Sequence, residues 1–104
     1  MIKKGLYLVI LTATLGRITF NGHYETWYNL NMKNIVTKAH NEGFDGEYWV
    51  RADGCKMLGE FIICAGHQSR YGEAVETSRG AGLILDTGDF AKTEPTTIDI
   101  ATNW

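Results

Sequence analysis

The sequence predicts a mainly β fold, a small six-stranded barrel with one α-helix packed on it. Twelve glycines stand against a single proline, and Thr, Ile, Tyr and Trp are frequent, a composition that favours strands and turns over a helical bundle. From residue 47 onward, short apolar runs recur between turn residues. Only one segment carries helical spacing. At 104 residues, 44% of them hydrophobic, the chain suits one domain with a modest core.

Residues 1–13 read either as a signal-like segment or as a first strand. Lys3 and Lys4 form a basic head, and the apolar run from Leu6 to Leu11 follows it. That run is too short to span a bilayer, so no stable membrane span is expected. Residues 14–104 form the single barrel domain. Ile18 and Phe20 alternate onto one face, and Asn21-Gly22 supplies a tight hairpin turn. The helix then starts at Asn31 as N-cap, places Met32, Ile35, Val36 and Ala39 on one stripe, and stops at Gly43. Lys33, Asn34, Lys38 and Glu42 are left to water. The expected strands beyond it are 47–52, 60–65, 74–78, 82–86 and 96–101.

Charge and metal-ligand patterns narrow the function classes. A net charge of -2 offers no basic surface to a polyphosphate, so no nucleic-acid partner is expected. Cys55 and Cys64 match no zinc or redox spacing; they read as two small packed hydrophobes or as one bridge. His23, His40 and His67 lie at no ligand spacing, and neither a metal nor a cofactor is expected.

The chemistry concentrates in the last third. Asp86 ends the run Leu85-Asp86-Thr87-Gly88, and Asp99 lies inside Ile98-Asp99-Ile100. A carboxylate seated in β-structure beside Leu and Ile is costly unless paired, hydrogen-bonded or protonated, so two of them suggest an acid-base site.

With Lys92 between them, and with Val50-Arg51-Ala52-Asp53-Gly54 and Met57-Leu58-Gly59 upstream, this pattern resembles the three-aspartate ("3D") domain. That domain is similar to the catalytic barrel of the membrane-bound lytic murein transglycosylase A family. The resemblance covers residues 24–104 and makes Asp53, Asp86 and Asp99 the three namesakes. The chain departs from the usual motif in having Asp89 after Asp-Thr-Gly, and Gly54 and Met57 where prolines are common.

The resemblance implies a double-psi β-barrel whose aspartates converge in a groove for a peptidoglycan glycan strand. It further implies that one aspartate, here Asp99, protonates a glycosidic oxygen and then deprotonates the muramyl O6 hydroxyl, giving a 1,6-anhydro product. Asp86 is then its partner, and Asp53, Thr87, Lys92 and Tyr28 become substrate-binding candidates. A protein of this kind acts outside the cell or in the bacterial envelope, encoded by the bacterium or by a phage.

Blander readings stand beside these. Lys92 can be a solvated loop charge, and Asp53 a turn residue accepting a backbone hydrogen bond. Tyr24, Trp27 and Tyr28 can be core aromatics in place of a sugar platform. Asp-Thr-Gly also marks aspartic proteases, but there it lies early, whereas only 18 residues come after Asp86. The main rival is a module that binds peptidoglycan, or builds a phage or envelope assembly, without cutting.

Overall fold

A computed structural model describes residues 16–104. The signal-like segment or first strand expected over 1–13 lies outside them. The described chain is mainly β: one sheet of eight strands curls into a half-barrel, and a single α-helix packs against it. In chain order the elements are β1 (Ile18–Phe20), β2 (His23–Tyr28), α1 (Lys33–Asn41), β3 (Tyr48–Val50), β4 (Lys56–Leu58), β5 (Phe61–Gly66), β6 (Ala74–Thr77), β7 (Gly80–Thr87) and β8 (Ile98–Ala101). Short 3-10 turns occupy Gln68–Arg70 and Asp89–Lys92.

The β1–β2 hairpin turns at Asn21 (φ 48°) and Gly22 (φ 79°), two successive left-handed residues that suit a two-residue loop between twisted strands. α1 begins at Lys33, two residues beyond the expected cap. Asn31 still serves the helix start, because its Oδ1 accepts from the Lys33 amide at 2.9 Å. At the other end the Gly43 and Phe44 amides return to the His40 and Ala39 carbonyls, with Gly43 at φ 93°.

Two strands run differently from the sequence reading. β2 continues through Tyr28, so Trp27 and Tyr28 are strand residues. β4 was not anticipated, since Lys56-Met57-Leu58 is short, buried throughout and lacks polar alternation. β5 is central: it pairs with β4 and then β8 antiparallel along one edge, and with β7 parallel along the other. β8 in turn runs parallel to β2.

Strand alternation divides the core into two layers. Ile62, Cys64, Ile84, Ile98 and Ile100 face one way, with Cys55 and Met57. Ile63, Leu83, Leu85 and Ala101 face the other way, where Met32 and Ala39 bring the helix over them with Leu58. Both cysteines are free and buried in the first layer, and burial pushes each thiol above its usual pKa.

Candidate active site

Simple alternation along β7 would put Asp86 with Ile84, on the layer away from the helix, and alternation along β8 puts Asp99 with Ala101, on the helix side. The sheet resolves this by a bulge. Cys64 of β5 pairs with Ile84, but the next residue, Ala65, pairs with Asp86, so Leu85 is the extra residue. One added residue reverses the face of the residues beyond it. Asp86 therefore turns to the helix side, and Ala65 becomes the shared neighbour of Asp86 on β7 and Asp99 on β8.

β2 supplies the partners. Thr26 and Tyr28 register with Asp99 and Ala101 and so share their face. Thr26 Oγ1 donates to Asp99 Oδ1 at 2.8 Å, and the Tyr28 hydroxyl donates to Asp86 Oδ2 at 2.8 Å. Asp86 Oδ1 accepts from the Thr87 amide, also at 2.8 Å.

The electrostatics arise from this placement. Burial, with the Asp86 charge adding to it, raises the Asp99 pKa above the ordinary carboxyl value, and the Thr26 hydrogen bond opposes the rise. Burial, then Asp86 and Asp99, hold the Tyr28 phenol firmly protonated. Tyr28 is thus a donor, and both aspartates are half-buried and each accepts a hydroxyl hydrogen bond from β2.

Asp86 opens onto a cleft of about 210 Å³ lined by Asn34, Ile35 and Lys38 of α1 and by Tyr71, Leu85 and Thr87. Thr87 also lines a second cleft of about 420 Å³ with His67, Gln68, Asp89 and Lys92. Lys92 is well exposed and pairs with Asp89 at 3.3 Å. Asp86, Thr87 and Lys92 therefore border two clefts that meet at Thr87.

Asp53 is engaged elsewhere. Its carboxylate takes two hydrogen bonds from Arg51 at 2.8 and 3.0 Å, one from Arg79 at 3.3 Å and one from the Cys55 amide at 3.1 Å. Arg51 holds its pKa far below the usual range. Trp104 Nε1 closes the same loop by donating to the Asp53 carbonyl.

Sequence reasoning missed Thr26 and Glu25. The signal for Thr26 was its spacing from Tyr28, two residues apart on one strand face. Glu25 is fully buried, accepting from Ser78 N and Oγ and lying 3.2 Å from His23 Nε2. Among the described residues, no group of three or more His, Cys, Asp and Glu side chains is gathered as a metal-ligand set. No helix there is long and apolar enough to cross a membrane.

No protein-family model, curated protein or solved structure matches the chain.

Proposed function

We propose that the chain cleaves the glycan strands of bacterial peptidoglycan as a lytic transglycosylase does, with Asp99 as acid and then base. The observation that carries the reading is the common neighbour Ala65 of β5, which seats Asp99 and Asp86 on one face of the two strands that flank β5. Burial and the nearby negative charge favour a proton on Asp99, and a general acid needs that proton available near its working pH.

On this reading Asp99 protonates the glycosidic oxygen as the bond to the muramyl carbon breaks. The Asp99 carboxylate then takes the proton from the muramyl O6 hydroxyl, which closes the anhydro ring. The substrate supplies its own nucleophile, so no second carboxylate is needed to activate water. Asp86, fixed by Tyr28 and the Thr87 amide, keeps the proton on Asp99 and balances charge that develops on the sugar. Thr87 and Lys92 meet sugar hydroxyls along the two clefts, and Asp53 braces its loop. The chain is then a three-aspartate-domain protein, working on the wall from outside the cytoplasm and encoded by a bacterium or a phage.

A second reading, peptidoglycan binding without cleavage, needs only the two clefts that share Thr87 and no proton on Asp99. Purified sacculi separate the two readings. Mass spectrometry of the digest should find 1,6-anhydromuropeptides with the wild type and none with Asp99→Asn. Sedimentation with sacculi but no soluble product, unchanged in Asp99→Asn, would replace the enzyme with the binding module.

A further inference from the structure

A further cleft lies away from the aspartates and has its own chemistry. It holds about 510 Å³ between the start of α1 and strands β3 and β4, lined by Asn31, Met32, Lys33, Val36, Thr37, Tyr48 and Lys56. Met32, Val36 and the Tyr48 ring give it an apolar body. Its lining has two lysines and no acid.

Lys56 is the unusual member. It occupies one end of the β3–β4 pairing, opposite Val50, and alternation places it on the face of Leu58, toward the helix. The residue is only 6% exposed. Its ammonium donates to Asn29 Oδ1 at 2.7 Å and to the Leu30 carbonyl at 2.6 Å, both neutral oxygens. Among the described residues it has no carboxylate partner, and an ammonium carries a third N–H beyond these two. A largely buried ammonium held by neutral oxygens alone favours a countercharge, and Lys56 lines a cleft of ligand size whose other walls include Met32, Val36 and the Tyr48 ring.

We infer that this cleft binds a carboxylate carried on an apolar body, the anion meeting Lys56 and the body lying against Met32, Val36 and Tyr48. Two sources share that chemistry, a small organic acid and the C-terminal carboxylate of a peptide. The inference does not depend on the reading of Asp86 and Asp99, and either can fail alone.

The test is an amide NMR titration of the full chain with hexanoate, with hexanol as the uncharged control, and with a short acetylated apolar peptide bearing a free or an amidated C terminus. Shifts confined to residues around Met32, Val36, Tyr48 and Lys56 are expected with an acid, and at least a tenfold weaker response with its uncharged counterpart. A response to hexanoate assigns the site to small acids, and a response to the free-acid peptide alone assigns it to chain termini.

Lys56→Met, which keeps length and removes charge, should weaken binding at least tenfold. Thr37→Trp, at an exposed position on the rim, should block the cleft without touching the core and covers the case in which Lys56→Met does not fold. Equal shifts with acid and uncharged control, undiminished binding in both variants, or no shift with either acid up to about 10 mM would overturn the assignment.

Discussion

The Tyr28 hydroxyl and the Asp86 carboxylate, 58 positions apart in sequence, meet in a 2.8 Å hydrogen bond that ties β2 to β7 across the helix-side face. β8 and β5 lie between those strands, so the bond spans the stretch of sheet that carries Asp99 and Ala65. Burial, then the Asp86 charge, holds the phenol in its protonated form, so it is the donor and the Asp86 carboxyl oxygen the acceptor.

Tyr28→Phe removes that donor and leaves the half-buried carboxylate with the Thr87 amide. A loss of about 1–2 kcal/mol in unfolding free energy is expected. Thermal denaturation should show a midpoint lower by several degrees, about 4–8 °C per kcal/mol for a domain of this size. An unchanged midpoint would mean that water replaces the phenol at no cost.

The two perturbed aspartates give opposite pH dependences. Asp99 binds its proton more tightly when folded, so its contribution to stability is full below its ordinary value of 3.8 and is lost as pH rises through the raised folded value. Asp53 is depressed, so its contribution is full above 3.8 and is lost as pH falls toward its folded value. Asp99→Asn should therefore be more stable than wild type at pH 7 and should lose the decline above pH 3.8. Denaturant unfolding across the acid range reads both slopes, and a less stable Asp99→Asn protein at pH 7 would reverse the assignment.

Asp53→Asn tests whether this residue braces its loop. The substitution removes the charge shared by Arg51 and Arg79 and weakens the acceptor of the Cys55 amide. Because these side chains are about one third exposed, solvent screening limits the loss to about 1 kcal/mol. Product formation from sacculi should survive in this variant at temperatures where it is folded.

Much of this architecture was legible in the chain, and the exceptions have physical causes. Asn21-Gly22, the stripe from Met32 to Ala39 and the Gly43 stop are local signals, read from neighbouring residues, and they lie where expected. The strands over 60–65, 74–78 and 82–86 also agree, because alternation and turn residues mark them. β4 escaped because three residues buried throughout show no period. The facing of Asp86 was unreadable for a different reason. It depends on the bulge at Leu85, a property of how β5 and β7 register, and alternation alone gives the opposite face. Asp53 carries a local Asp-Gly signal that fits a turn as well as a groove, and only the approach of Arg79 and Trp104 from distant segments shows its surroundings.

Gly46 is a position where the fold has no room. It sits at φ 120°, and an added Cβ would lie 2.8 Å from the Gly59 amide nitrogen and 2.9 Å from its Cα, both backbone atoms. Gly46→Ala should cost about 2–3 kcal/mol, read from chemical denaturation. A cost below about 0.5 kcal/mol would show that the β4–β5 turn yields easily.

The most direct measurement is a carbon NMR titration of the Asp99 side-chain carboxyl in the wild type and in Asp86→Asn. Coupling across Ala65 predicts a wild-type pKa above the ordinary 3.8 and a lower one in Asp86→Asn, still not fully restored because burial is the larger cause. An Asp99 that titrates at or below 3.8 in the wild type, or is indifferent to the loss of the Asp86 charge, would contradict the paired site.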